Sequence, residues 1–307
     1  MIDARTKRNV IRELKQSPAA WVGIVAFLSV VVAAIFAPFI ATHSPNVLNL
    51  PASQTSPTWA HPMGTDNLGR DTFSRVVYGA RVSLVVGILA VMTSAIIGVV
   101  LGIVAGYKGG WLDDVIMRAS DTMLTVPGLM VAITIFGVIG PLQVSLPDPW
   151  VMLGLVSDRP EAVQLPGTII IALGVTGWVR FARISRGEAL SIRNEDYVSS
   201  AVSIGAGSIH VMKKHILPNS LTPIMILATI RVANAILSES SLAFLGFSGA
   251  SVSWGLDIAA GREYLVTAWW VPLFPGLAIV IAIVGINLLG DVARDALDPN
   301  LSEGNAR

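Results

Sequence analysis

Glu239 and Arg231 fall inside one apolar run long enough to cross a bilayer. An ionisable group in that setting is costly to keep, so it points either to a transport pathway or to a buried polar contact between helices. The two are eight residues apart, which on a helix puts them on one face but about 12 Å from each other, too far for a direct pair. Other chemistry is sparse. The chain has no cysteine, which removes disulfides, thiolate metal sites and cysteine nucleophiles together. The histidines, His43, His61, His210 and His215, show no metal-ligand spacing, and Asp291, Asp295 and Asp298 near the C-terminus read as exposed helix acids. No metal site and no catalytic residue are expected.

The elements that position these residues follow from composition. Of 307 residues 53% are hydrophobic and 13% charged, where soluble domains carry about 25% charged residues. The formal net charge of +1 offers no bulk attraction to nucleic acid, and no nucleic-acid partner is expected. A spanning helix needs about 20 apolar residues because hydrocarbon leaves no partner for free backbone groups. Runs near Ala20–Ala41, Ser83–Ala105, Thr122–Gly140, Thr168–Ala182, Leu221–Leu245 and Val271–Leu289 qualify, giving an all-α integral membrane protein of about six spans. The first follows a basic tail (Arg5, Lys7, Arg8, Arg12, Lys15) and exceeds a signal-peptide apolar core, so it reads as a retained anchor. With both ends cytoplasmic, 15 of the 21 Lys and Arg residues fall inside, five outside, and Arg231 within a span, in keeping with the positive-inside rule.

Residues 1–18 are then a cytoplasmic basic tail, 19–41 the first span, 42–81 an external loop, 82–291 the membrane core and 292–307 a cytoplasmic tail. Within 42–81, Phe73, Val76, Val77 and Tyr78 alternate with Arg70, Arg75 and Arg81, which predicts a short interfacial helix. The proline-rich stretch between the third and fourth spans predicts an external loop with little regular structure. Gly98, Gly102 and Gly106, four apart, predict close helix packing. Pro127 is expected to kink the third span, and Asp121 to cap it or to pair with Arg118. Trp269 and Trp270 are placed in the aromatic belt.

One passage breaks the apolar pattern. "NEDYVSSAVSIGAGSIHVMKKHILPN", in the loop 186–219, carries charges, glycines and a terminal Leu-Pro. Asn194 or Asp196 is suited to cap a first helix, and Tyr197, Val198, Ala201, Val202 and Ile204 share an apolar face. Gly205 and Gly207 interrupt it, a second piece spans Ser208–Ile216, and Pro218 is expected to end that piece. Two short helices joined at a glycine turn, lying across the inner face, fit either a groove on a soluble partner or a surface of anionic headgroups. The pattern by itself serves both.

This passage resembles the cytoplasmic coupling motif of ABC importer permeases: a Glu-Ala-Ala triplet, three residues, Gly, nine residues, then Ile-x-Leu-Pro. Ser199, Ser200 and Ala201 stand at the triplet, Gly205 at the glycine, and His215, Ile216, Leu217 and Pro218 at the close. Ser199 replaces the leading Glu, and His215 the first Ile. "EDYVSSAVSIGA" with "HILPN" is similar to the variant of the dipeptide and oligopeptide group. The stretches "HPMGTDNLGRDTFSRVVYGARVSLVVG", "GYKGGWLDDVIMRASDTMLTVPGL", "AILSESSLAFLGF", "SWGLDIAAGREYLVTAWWVPLFPGLAI" and "NLLGDVARDALDPN" resemble the second permease subunit of that group.

The resemblance implies one of two dissimilar permeases of type I architecture, two ABC ATPase subunits beneath, an extracytoplasmic solute-binding protein, and a bacterial or archaeal cytoplasmic membrane. ATP and Mg would sit on the ATPase chains, since a phosphate-cradling loop needs a Gly-Lys pair and none occurs here. It also implies that Glu195, Asp196, Tyr197, Ala201, Gly205, Ala206, His215, Leu217 and Pro218 couple to the ATPases. Peptide is the implied cargo, with a nickel chelate or glutathione as alternatives served by the same architecture. An ion-coupled secondary transporter ranks behind, because no inverted repeat stands out and only two buried charges are in view. A non-transport scaffold would leave the ordered insert without purpose.

Overall fold

The computed structural model describes residues 18–297; the basic tail and Asp298 lie outside them. The first apolar run forms α1 (Pro18–Ile35), followed by a single turn, α2 (Ala37–Ile40). A loop containing one 3-10 turn (Leu50–Ala52) then leads to α3 (Thr72–Lys108). The expected interfacial helix is thus the start of the second span. Asp71 caps α3 by accepting from the Ser74 amide, and no proline falls between Asp71 and Ser83 while Gly79 is packed against Trp254, so the helix propagates through. At 37 residues α3 is about 55 Å long and overshoots the roughly 30 Å hydrocarbon layer.

The expected third span is broken. Helices α4 (Gly110–Thr125) and α5 (Gly128–Ile139) meet at 93°. Pro127 has no amide to donate and holds Val126 in extended backbone, so the kink is a corner. The stretch that follows is ordered rather than irregular: β1 (Gln143–Pro147) pairs antiparallel with β2 (Ala162–Pro166), with Val144 opposite Leu165, and α6 (Pro149–Met152) lies between them. Arg81 and Trp150 donate to the last carbonyls of α1, Ala34 and Ile35, both at 2.7 Å. Those carbonyls would otherwise be orphans, and this is why the hairpin folds back over α1.

Helix α7 (Gly167–Ile192) outruns its predicted end at Ala182 by ten residues. After it come α8 (Asp196–Ser203), α9 (Ser208–Val211), a π turn (Met212–Ile216) and α10 (Leu217–Phe244). Pro218 does not end a helix, contrary to expectation. It lies in the first turn of α10, and the Leu217 amide reaches back to the Met212 carbonyl, the wider i→i+5 spacing that absorbs a local break in the ladder. Helix α11 (Trp254–Gly261) and a 3-10 turn precede α12 (Trp270–Leu297), which carries the expected tail helix as its own continuation. Among the described residues five helices are long and apolar enough to cross a membrane, and six crossings result if the bent α4–α5 pair counts as one.

The tightest seam joins α3 to α7. A Cβ on Gly98 would stand 2.3 Å from the Trp178 carbonyl oxygen, and one on Gly102 2.3 Å from that of Ala182, so only hydrogen lets the two backbones lie this close. One core unites α1, α3, α10, α11 and α12 through Val30, Leu84, Ile236, Trp254, Ile279 and Ile286. Trp270 is buried and donates Nε1 to the Thr65 carbonyl, so it fastens the loop rather than anchoring in the headgroup belt. Trp269 stays half exposed.

Candidate coupling element and interhelical cavity

The insert is held at its base and bare at its tip. Val198 from α8, Val211 from α9 and Ile216 from the π turn are buried against Ile103 at the end of α3 and Ala189 and Ile192 at the end of α7. Asn219 closes the loop by donating to the Tyr197 hydroxyl at 3.3 Å, and Tyr197 lies against the His215 ring. Arg193 Nη1 donates to the Gly106 carbonyl at 2.9 Å, tying the base to α3. The turn is made by Gly205, whose φ of +92 is open to glycine and strained for other residues. At the tip, Ile204 is 88% and Ile209 67% exposed. Two isoleucines this bare, on a wedge that buries Val198, Val211 and Ile216 at its base, form a surface suited to a partner.

The residues singled out from sequence separate here. Val198 is the inward member of α8, whereas Tyr197, Val202 and Ile204 from the same expected face are exposed. Glu195 and Asp196 are exposed at the start of α8, where Glu195 occupies the cap position without a side-chain bond. Neither Asn194 nor Asp196 caps it, since Asp196 is already helical and Asn194 donates back to the Leu190 carbonyl. Ala201, Ala206, His215 and Leu217 are half-buried, and Gly205 and Pro218 are exposed.

On the same side, Arg186 in α7 makes a bidentate contact with Asp113 in α4. Arg183 donates to Asp121 at 2.5 Å, so Asp121 pairs across helices rather than with Arg118. Sequence reading missed both links, because the partners are more than 60 positions apart.

Arg231 and Glu239 share a helix but not an environment. Arg231 lines a cavity of about 310 Å³ enclosed by α3, the α4–α5 corner, α7 and α10, together with Arg180, Ser94, Thr176 and Ser238. Among the described residues neither Arg231 nor Arg180 has a salt-bridge partner, so this cavity carries uncompensated positive charge. Arg180, at the inner end of the predicted fourth run, belongs to α7. Glu239 is fully buried outside that cavity, accepting from Ser83 Oγ at 3.2 Å and Ser240 Oγ at 3.3 Å. Of the two roles considered for it, its geometry is that of an interhelical polar contact.

With this geometry described, comparison with known proteins adds family. Residues 98–303 match the model of the binding-protein-dependent transport system inner membrane component, and residues 7–60 that of the N-terminal TM domain of oligopeptide transport permease C. The chain is 39% identical to a putative peptide transport system permease protein of Brucella suis, over 94% of this chain and 90% of that one. It is 38% identical to the dipeptide transport system permease protein of Bacillus subtilis over 94% and 84%, and 36% identical to that of Alkalihalophilus pseudofirmus over 96% and 90%. The matched region includes Gly98 and Gly102 of the α3–α7 seam, the insert, and Arg180 and Arg231 of the cavity. The chain therefore belongs to the family of binding-protein-dependent transport system inner membrane components, as a multi-pass transport permease and not an enzyme.

Proposed function

We propose that this chain forms half of the translocation pathway of an ATP-driven peptide importer, with the insert as its contact to separate ATPase subunits. The observation that carries this reading is the split character of the insert: a base packed into the ends of α3 and α7, and a tip that leaves Ile204 and Ile209 bare. A load applied at the tip passes through Val198, Val211 and Ile216 into three long helices, because close-packed side chains transmit displacement rather than absorb it. Helix α10 continues directly from the π turn, so rotation of the insert becomes tilt of a membrane helix. Both ends of the described chain fall on the insert side: α1 ends beside the start of α3, where Arg81 binds the Ala34 carbonyl, the other end of α3 packs on the insert through Ile103, and Gly23 of α1 packs beside Leu288 of α12; that side is taken as cytoplasmic.

The cargo assignment rests on the names of the relatives, which are peptide and dipeptide permeases, together with the charge of the cavity. A peptide brings a C-terminal carboxylate, and Arg231 and Arg180 offer the guanidinium groups that bind carboxylates best. A second, dissimilar permease would close the open side of the cavity, and a solute-binding protein would deliver cargo on the face that carries the hairpin.

The test uses Ile204→Asp and Ile209→Asp in the reconstituted transporter. Both side chains are exposed, so the chain should fold and pair with its partner permease. Co-purification of the ATPases, or hydrolysis stimulated by the loaded binding protein, should fall at least about tenfold, the loss of roughly 1.4 kcal/mol. Undiminished ATPase association and stimulation would show that the tip lies on headgroups instead.

A further inference from the structure

His43 and His61 are 18 positions apart, with no local ligand spacing between them, yet the fold stacks their rings with centroids 4.6 Å apart. Asp71, the cap of α3, faces both. Its Oδ1 lies 2.8 Å from His61 Nδ1 and 3.9 Å from His43 Nδ1. One ligand atom from each of the three residues falls within 4.8 Å of the others. We propose that His43, His61 and Asp71 form a binding site for a first-row divalent cation of the zinc type, which ties the exit of the first span to the start of the second.

The donor set and its supports favour an ion. Two imidazoles and a carboxylate suit zinc, cobalt and nickel far better than calcium or magnesium, which prefer all-oxygen shells. Such ions hold nitrogen and oxygen ligands at about 2.0–2.2 Å, so neighbouring ligand atoms stand roughly 3 to 3.5 Å apart. The two measured gaps to Oδ1 bracket that range, and each needs a shift of under about 1 Å to reach it.

The carboxylate is already aimed. Its Oδ2 accepts from the Ser74 amide at 2.8 Å, Ser74 Oγ at 2.6 Å and Thr42 Oγ1 at 3.0 Å, which leaves Oδ1 turned to the imidazoles. Outer hydrogen bonds of this kind orient ligands in metal sites. His43 is half exposed while Asp71 is buried, so an ion would enter from the solvent side and keep water in its remaining positions.

The contacts also indicate what the ion does. Thr42 and His43 directly follow the first span and its trailing turn, and Asp71 begins α3. An ion shared between them closes the loop 43–71, whose free closure is entropically costly. The effect is a clamp on the loop face rather than chemistry on cargo.

The experiment uses the full chain in its membrane complex, purified with a tag that contains no histidine. Co²⁺ is titrated while its visible ligand-field absorption is followed, and Zn²⁺ is then added as competitor. The expected result is saturable binding of one ion per chain, displaced by Zn²⁺, weakened at least about 100-fold by His43→Ala and by His61→Ala, and unchanged by His210→Ala/His215→Ala on the insert. His43 is exposed enough that its substitution should leave the metal-free melting temperature in place, while abolishing the rise that Zn²⁺ produces in the parent. No saturable spectrum in the parent, or equal affinity in the His43 and His61 variants, would overturn the proposal and leave an ordinary hydrogen-bonded cluster.

Discussion

Arg186 of α7 holds Asp113 of α4 through both guanidinium edges, Nε to Oδ1 at 2.5 Å and Nη2 to Oδ2 at 2.6 Å. The pair stands about two turns before the insert begins and on the helix that leads to the α4–α5 corner. It therefore links the region expected to receive force with the helix pair that lines the cavity. Lysine cannot reproduce the two parallel bonds. Arg186→Lys should lower the melting temperature of the complex by only a few degrees, since the arginine is about a third exposed and solvent screens the pair, while reducing peptide-stimulated ATP hydrolysis more than basal hydrolysis. Equal loss of both activities would place the contact outside the coupling route.

Gly102→Ala is the direct probe of the α3–α7 seam. The added methyl would meet the Ala182 carbonyl at 2.3 Å, a backbone atom that cannot rotate away. Overpacking of this kind costs about 1–3 kcal/mol, and the variant should melt earlier in detergent than its parent. Gly128→Ala and Gly137→Ala, where nothing lies within 4 Å, should melt like the parent and serve as controls.

Arg75 and Asp257 form a buried ion pair, Nη2 to Oδ1 at 2.5 Å, that joins the start of α3 to α11. Asp257→Ala leaves a buried guanidinium with only the Pro45 carbonyl as acceptor. The expected destabilisation is about 3–5 kcal/mol, read as lost yield and an earlier thermal transition. The double change Arg75→Met/Asp257→Leu removes both charges and should recover much of that loss; failure to recover any would show that the pair specifies the fold rather than merely balancing itself.

Arg231→Gln tests the charged cavity. Uptake of a dipeptide with a free C-terminus should fall about tenfold, as expected from loss of one charge-assisted hydrogen bond. Uptake of its C-terminal amide, weak at the outset, should change little. Parallel loss for both substrates would assign Arg231 to architecture instead of carboxylate recognition. Glu239→Gln keeps the hydrogen-bonding shape toward Ser83 and Ser240 and should leave both rates near their starting values.

Much of the membrane architecture was legible because hydrocarbon imposes a local requirement: each span must be long and apolar by itself. The glycine ladder on α3 was legible for a similar reason, since four-residue spacing marks one helix face. The errors were also local in origin. The arginine-bearing stretch before Ser83 reads as a separate interfacial helix because its charges interrupt the apolar pattern, yet tertiary partners neutralise them: Asp257 for Arg75 and Asp148 for Arg81. Proline rules foresaw a break at Pro127 but not its size, and they misread Pro218 because a π turn can re-register the ladder ahead of it.

What the sequence determined alone is the set of membrane runs, the place of the glycine turn at Gly205 and the order of polar and apolar residues through the insert, all properties of residues within a few positions of each other. Only the tertiary structure decided that Arg180 joins Arg231 at one cavity while Glu239 turns away from it, and that His43, His61 and Asp71 converge. Those outcomes depend on how helices cross and how a 30-residue loop closes, and many registers satisfy the same local pattern until side-chain packing selects one.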